Sequence, residues 1–517
     1  MKLNKIAFAV LALASAGSTF AAHCSTGTAA DVTALLQECS PEVTFVAAGG
    51  TAMRDAYKNV AYTFFDNTKP LVYVKTIKSD GKSENKDVFA MYGYGATTAP
   101  DGVKGKRLAV IVNTVNGSFA GVNMLLSAGK TGSLVNGADG QEYKQTIQFQ
   151  TAAGMKAGTV ASLYRPAGLT IGTTYVDSSV SGYSLNAADA FSSSYKLPNG
   201  TFLPAANVLA SNVVNDLKLG LHSDKNKVVN IAFADVRPLD AVPGQLFGSK
   251  WDQTKFPPTT LAMQGFQVVV NNNLYAALVA RDAAAGRIAS SCAAPTAALT
   301  VADMACQPTV TSAEMASIML GKRPSTMGLD AAKGMTLQRR VGSSGTQAAT
   351  QIFFTKMGNA IASKVQAFTP VMGAALTDGQ TAGDITKVLV KASSSSDTVV
   401  ANVPADTTGY SIGVVSNDKG SYASGTANIL SVKVDGFSPN FDGTAIDSNA
   451  KATLAKGYPF QFEFVSLAPA TQAAPQAAVV GMFNAGLTNI ANAVKGVVYK
   501  SQSTFSRNGN NLGALTE

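Results

Sequence analysis

Three short turns in this chain pair glycine with a hydroxyl residue where a helix is expected to begin. They are Gly49-Gly50-Thr51-Ala52, Gly117-Ser118-Phe119-Ala120-Gly121 and Gly342-Ser343-Ser344-Gly345-Thr346, the last preceded by Arg340. A helix start leaves its first N–H groups without intrahelical partners and carries a partial positive charge. Glycine lets backbone come close to an anion, a hydroxyl adds a donor, and arginine adds a planar fork of charged donors. Each turn alone reads as an ordinary helix cap. Aimed at one point, the three would hold an oxyanion without a metal.

The elements that must position them alternate strand, turn and helix. Pro41 to Ala48 reads as a short buried strand, broken by Gly49-Gly50, with Thr51 capping a helix over about Ala52 to Phe65. Strands are expected at Leu71–Ile77 and Arg107–Thr114, with a helix from Phe119, then strands at Val228–Phe233 and Phe266–Asn271 and a helix through about Arg287. Thr311-Ser312-Ala313-Glu314 has capping-box spacing and opens a helix ending at Gly321. A strand over Thr336–Arg340 feeds the third turn, and the following helix faces inward with Ala348, Ala349, Ile352 and Phe353. Further strands are expected at Ile385–Val390 and Tyr410–Val415, a polar loop over Ala392 to Asp406, a helix over Ala477 to Tyr499, and a loose polar tail after Ser501. This alternation predicts an α/β protein with mostly parallel sheets. Residues 125–227 differ in texture, rich in Gly, Ser and Thr with short β-like runs, and read as a β-rich insertion.

In this order the turns resemble the phosphate-binding proteins of bacterial ABC uptake systems, within the type II periplasmic binding protein superfamily. The resemblance runs through Val46 to Ala52, Gly117 to Val122, Ile231-Ala232-Phe233-Ala234-Asp235, Arg340 to Thr346 and Gly409-Tyr410-Ser411-Ile412-Gly413, and covers residues 41–125, 228–360 and 405–465. It implies a two-lobed α/β fold. Residues 22–265 would form the first lobe with its insertion, 266–404 the second, and 405–517 a return to the first lobe with a C-terminal helix and tail. Hinges would lie near Gly265-Phe266 and Asp406 to Gly409. It also implies roles: Thr51, the Ala52 N–H, Ser118, Ser344, Gly345 and Thr346 as donors to phosphate oxygens, Arg340 as the charge, and Asp235 as acceptor from a protonated oxygen. A carboxylate tolerates a facing anion only with a proton between them, which would favour phosphate over sulfate. Asp235 could equally be a cap or an ion-pair partner of Arg237. The sequence departs from the family at Gly342, where an Asp commonly orients the arginine, which would leave Arg340 less constrained or let Arg339 compete for the site, and in the length of the insertion.

Other chemistries find little support. The only histidines are His23 and His222, and neither metal-ligand spacing nor a nucleophile with a base is present. Gly342-Ser343-Ser344-Gly345 lacks the spacing of a nucleophile elbow, no phosphate loop with Gly-Lys-Ser/Thr occurs, and Trp251 is the sole tryptophan, although Tyr92 and Tyr94 could line a cleft. An enzyme is not expected, nor a cofactor. The 517 residues carry 41 Lys+Arg against 32 Asp+Glu, a net charge of +9. Spread over this length, that is a mild bias towards anions and not a nucleic-acid footprint.

Met1 to Lys5 is a cationic start, Ile6 to Ala14 an apolar run and Ser15 to Ala22 small and neutral, which reads as a secretory signal cut after Ala21. No later stretch is apolar enough to cross a bilayer, which takes about 20 residues. Four cysteines suit an oxidising compartment; the local pairing Cys24–Cys39 and Cys292–Cys306 would close two short loops, each worth about 3 kcal/mol. The expectation is a periplasmic or secreted monomer that captures phosphate or a similar oxyanion for an ABC permease. Its rival is a surface protein of the same fold that has lost the ligand and works through its insertion in adhesion or assembly.

Overall fold

The computed structural model describes residues 41–66, 71–77, 84–114, 117–126, 159–164, 207–209, 229–238, 252–295, 300–340, 344–355, 387–393, 395–419, 429–447, 450–489, 495–499, 505–507 and 515–516. The signal segment, Cys24 and Cys39, His23, His222, Trp251, Gly342, Ser343 and most of the insertion lie outside them.

The fold is mixed α/β. Its first part centres on three parallel strands, β1 (Val43–Gly49), β4 (Arg107–Asn113) and β7 (Ile231–Ala234), with β1 between the other two. Their side chains are almost wholly buried, as expected of strands covered on both faces. Two antiparallel strands, β2 (Leu71–Ile77) and β3 (Glu84–Tyr94), extend the sheet beyond β4. The insertion supplies β5 (Thr159–Tyr164) and β6 (Asn207–Leu209), which continue that edge. α1 (Arg54–Tyr62), entered by a 3₁₀ turn at Thr51–Met53, follows β1, and α2 (Ser118–Leu126) follows β4.

β8 (Pro258–Asn271) is the long strand that joins this sheet to a second group. α3 (Asn272–Ala284) follows it, then α4 (Val301–Ala305), β9 (Thr309–Val310) and α5 (Ser312–Met319). β10 (Met335–Arg340) lies between the parallel strands β11 (Val388–Ser393) and β12 (Tyr410–Ser416). α6 (Gly345–Thr355) leaves β10 and α7 (Ser396–Ala405) leaves β11. The chain ends with β13 (Ile429–Val434), α8 (Lys451–Ala455), β14 (Gln461–Leu467), α9 (Ala474–Asn489) and β15 (Val497–Tyr499).

β8 changes neighbours at one place on both edges. Residues 258–265 pair with β14, and residues 266–270 with β12. On the opposite edge, 262–264 pair with β15 and 268–271 with β13. The exchange point is Gly265-Phe266, where a side chain on Gly265 would meet Asn417 Nδ2 at 2.5 Å and Leu454 Cδ2 at 2.6 Å.

Several expectations need correction. Tyr410–Ser416, expected to return to the first lobe, instead joins β10 and the second half of β8; the strand that reaches β7 is β14. The stretch 392–406 is no loop: Ser395 caps α7, which buries Val399 and Val403. The final helix is described over Ala474–Asn489, and residues 497–499, expected to be helical, are strand. The tail is anchored: Arg507 is buried, donates to the carbonyls of Gln461 (2.9 Å) and Pro459 (2.6 Å), and lies 4.5 Å over the Phe462 ring. Tyr92 and Tyr94 are core residues. The capping box is present, with Thr311 accepting from the Glu314 N–H and Glu314 from the Thr311 N–H. Cys292 and Cys306 form a disulfide. No helix among the described residues is long and apolar enough to cross a membrane.

Candidate functional site

Parallel neighbours deliver their C-terminal ends to the same edge of a sheet, and ligands of open α/β folds gather there. β1, β4 and β7 end in Gly49-Gly50, in the turn to Ser118 and in Asp235 respectively. Close backbone packing sets their spacing. Gly49 has φ +129°, and a Cβ there would fall 2.1 Å from the Phe233 carbonyl oxygen. A Cβ on Gly121 would fall 2.4 Å from Gly49 Cα. Only glycine at both places lets α2 rest on the end of β1, and that seating puts Ser118, the first residue of α2, beside Asp235.

The cluster is tight. The Asp235 N–H donates to Ser118 Oγ at 3.4 Å. A Cβ on Gly50 would sit 2.6 Å from Asp235 Oδ1 and 3.1 Å from Ser118 Oγ. A Cβ on Gly345 would sit 2.4 Å from Asp235 Oδ2 and 2.5 Å from Ser118 Oγ. Four segments far apart in the chain thus meet at one carboxylate. Asp235 is 4% exposed and its Oδ1 has no hydrogen-bond partner. Burial raises its pKa to about 6, against the lowering effect of the Ser118 hydrogen bond and the Arg340 charge. Arg237 pairs with Glu463 at 2.7 Å, so the alternative of an Asp235–Arg237 ion pair is set aside.

Arg340, at the end of β10, is buried, and its field reaches Asp235. Its Nη1 donates to Ser396 Oγ at 2.6 Å and its backbone N–H to Gln347 Oε1 at 3.1 Å. Ser396, in the first turn of α7, thus holds one arm of the guanidinium. Beside Arg340 is a cavity of about 10 Å³ lined by Gln338, Arg339, Gln347 and Thr350, room for about one water. Further out, Lys419 bridges Asp397 (3.1 Å) and Asp418 (3.2 Å). Burial opposes ionisation of Asp397, but Lys419, Arg54 and Arg340 outweigh it and hold its pKa low.

Of the residues expected from sequence, the structure joins Ser118, Asp235 and Gly345, with Arg340 within electrostatic reach. Thr51 does not cap its helix: the cap is Gly50, whose N–H donates to the Phe233 carbonyl at 3.0 Å, and no side chain caps the turn. Thr51 and Ala52 are half-buried next to the cluster. Ser344 Oγ accepts from the Gln347 N–H at 3.4 Å and so serves α6 itself, while Thr346 is buried and its carbonyl accepts from the Thr350 hydroxyl. Sequence reasoning placed Gly50 in the first turn without giving it a role of its own, and missed Ser396. The Gly-Gly doublet was a usable signal for the first; Ser396 was hidden in a serine run that resembles a linker. No metal-holding group of His, Cys, Asp or Glu is present among the described residues.

No protein-family model and no curated protein matches this chain.

Proposed function

We propose that this is an exported solute-binding protein whose cluster at Asp235 captures a small oxyanion, with phosphate the best fit, between two lobes that share β8. The observation that carries the reading is the convergence of Gly50, Ser118, Asp235 and Gly345 around a buried carboxylate oxygen with no partner. Ser118 and Gly345 open α2 and α6, so the first turns of two helices face that carboxylate. Helix starts favour negative charge, and Arg340 adds a formal positive one. Asp235 would accept the proton of a monoprotonated oxyanion. The exchange of neighbours at Gly265-Phe266 is where one group of strands could turn against the other, so that an anion gripped from both sides would favour closure.

A second reading rests on a specific contact. Gly345 packs directly on Asp235 Oδ2 and Ser118 Oγ. The carboxylate then serves α6 as its own internal anion, and a protein that has lost its ligand would look the same. Titration calorimetry of the mature protein, unfolded and refolded to strip carried-over ligand, separates the two. Capture predicts heat and a raised melting temperature with phosphate, weaker or absent with sulfate, and unchanged by a chelator. No heat and no melting shift at millimolar phosphate selects the second reading.

A further inference from the structure

Tyr57, on α1, is fully buried, and its hydroxyl has no hydrogen-bond partner. Its ring stacks on Phe233 at 4.4 Å and 18° and lies 6.5 Å from Phe464. Phenylalanine would fill that slot as well, and a buried hydroxyl is normally satisfied. Asp235 Oδ1 is the matching acceptor, also buried and also without a partner.

Geometry brings the two atoms towards one another. Ile231 and Phe233 belong to the core on the α1 side of the sheet, and Ala232, Ala234 and Val236 to the core on the other side. Asp235 follows Phe233 by two residues, just past the end of β7, and Tyr57 stacks on Phe233. Gly50 immediately precedes the 3₁₀ turn that leads into α1, so it lies at the N-terminal end of the segment that carries Tyr57. Long helical side chains lean towards the N-terminus, which sends the Tyr57 hydroxyl back towards Gly50. Gly50 has no side chain to block the way, and a Cβ there would be only 2.6 Å from Asp235 Oδ1. The hydroxyl senses that carboxylate: burial first, then the Asp235 charge, push its pKa up.

A buried donor and a buried acceptor on one side of the site are satisfied together by a single oxygen that both accepts and donates. We propose that Tyr57 is a specificity-determining residue of this site, its hydroxyl donating to the same protonated oxygen of a tetrahedral oxyanion that donates to Asp235 Oδ1. This rests on the oxyanion reading above. It makes the P–OH group of monoprotonated phosphate the recognised feature; sulfate has no proton to give Asp235 at neutral pH.

Tyr57→Phe removes the hydroxyl and keeps the stacked ring. Wild type and variant are titrated with phosphate and with sulfate, and both are melted without ligand. The expected result is phosphate affinity reduced about tenfold in Y57F, sulfate binding unchanged, and a ligand-free melting temperature equal to or above that of wild type. Phosphate affinity equal to that of wild type overturns the proposal. So does a lost affinity accompanied by a lower ligand-free melting temperature, which assigns the hydroxyl to packing or to a structural water. Absence of phosphate binding by the wild type overturns the oxyanion reading itself, and this proposal with it.

Discussion

At the residue scale the defining feature is an ionisable group in the wrong solvent. Asp235 has a folded pKa of about 6 against an ordinary 3.8, because burial outweighs the help of Ser118 and Arg340. An acid whose pKa rises on folding binds more protons in the folded state than in the unfolded one. Between pH 4 and 6 the stability it contributes therefore falls as pH rises, and above pH 6 the whole cost is present, about 3 kcal/mol. Asp235→Asn is expected to raise the urea midpoint at pH 7, to leave it nearly unchanged at pH 4, and to weaken discrimination against sulfate. Identical pH profiles for D235N and wild type between pH 4 and 7 would refute the assignment. A residue that lowers stability at working pH and sits against two helix starts is a candidate for a binding role. Asp235 itself was legible in the sequence from its place after a short strand. Its partners Ser118 and Gly345 were legible from their place at helix-start turns. Gly50 contributes by the absence of a side chain, and a threonine next to it drew the reading away.

At the element scale, how an element packs decided what could be read. Continuous apolar runs announce β1 and β4, and the Thr311/Glu314 box announces α5. α7 was hidden because it buries only Ser396, Val399 and Val403 among polar neighbours, and Pro404 sits in its last turn. β3 begins with Glu84-Asn85-Lys86-Asp87, which reads as solvent-facing chain, and its pairing with β2 and β4 is what makes it a strand. The α2–β1 contact gives the sharpest test. Gly121→Ala puts a methyl where the Gly49 backbone lies 2.4 Å away, and no side-chain rotamer can relieve a clash with main chain. A loss of about 1–3 kcal/mol or more is expected in urea denaturation. Because Ser118 moves with α2, phosphate binding should fall beyond what the lost stability explains. A variant as stable as wild type would show that α2 does not rest on β1 in this way.

At the scale of the whole molecule, the mixing of strands and helices could be anticipated from alternation alone, but the pairing of the late strands could not. Tyr410–Ser416 and Gln461–Leu467 are both apolar runs of similar length, and only their partners on β8 tell them apart. The tail was misjudged for a related reason: Arg507 reads as a surface charge, yet its guanidinium is spent on two backbone carbonyls and an aromatic face. Arg507→Ala leaves those groups without their donor. It is expected to cost about 1–3 kcal/mol, seen as a lower melting temperature and as faster amide exchange at the start of β14. Unchanged exchange there would show that the tail is not an anchor.

β14 also lies between β7 and β8, and it is made late. Until residues 461–467 leave the ribosome, the parallel strands on one side and the long crossing strand on the other have nothing to zip them together. Nearly nine-tenths of the polypeptide must therefore wait, unassembled at its centre, for the last portion to be synthesised. A chain built this way closes its sheet from the centre, and does so last.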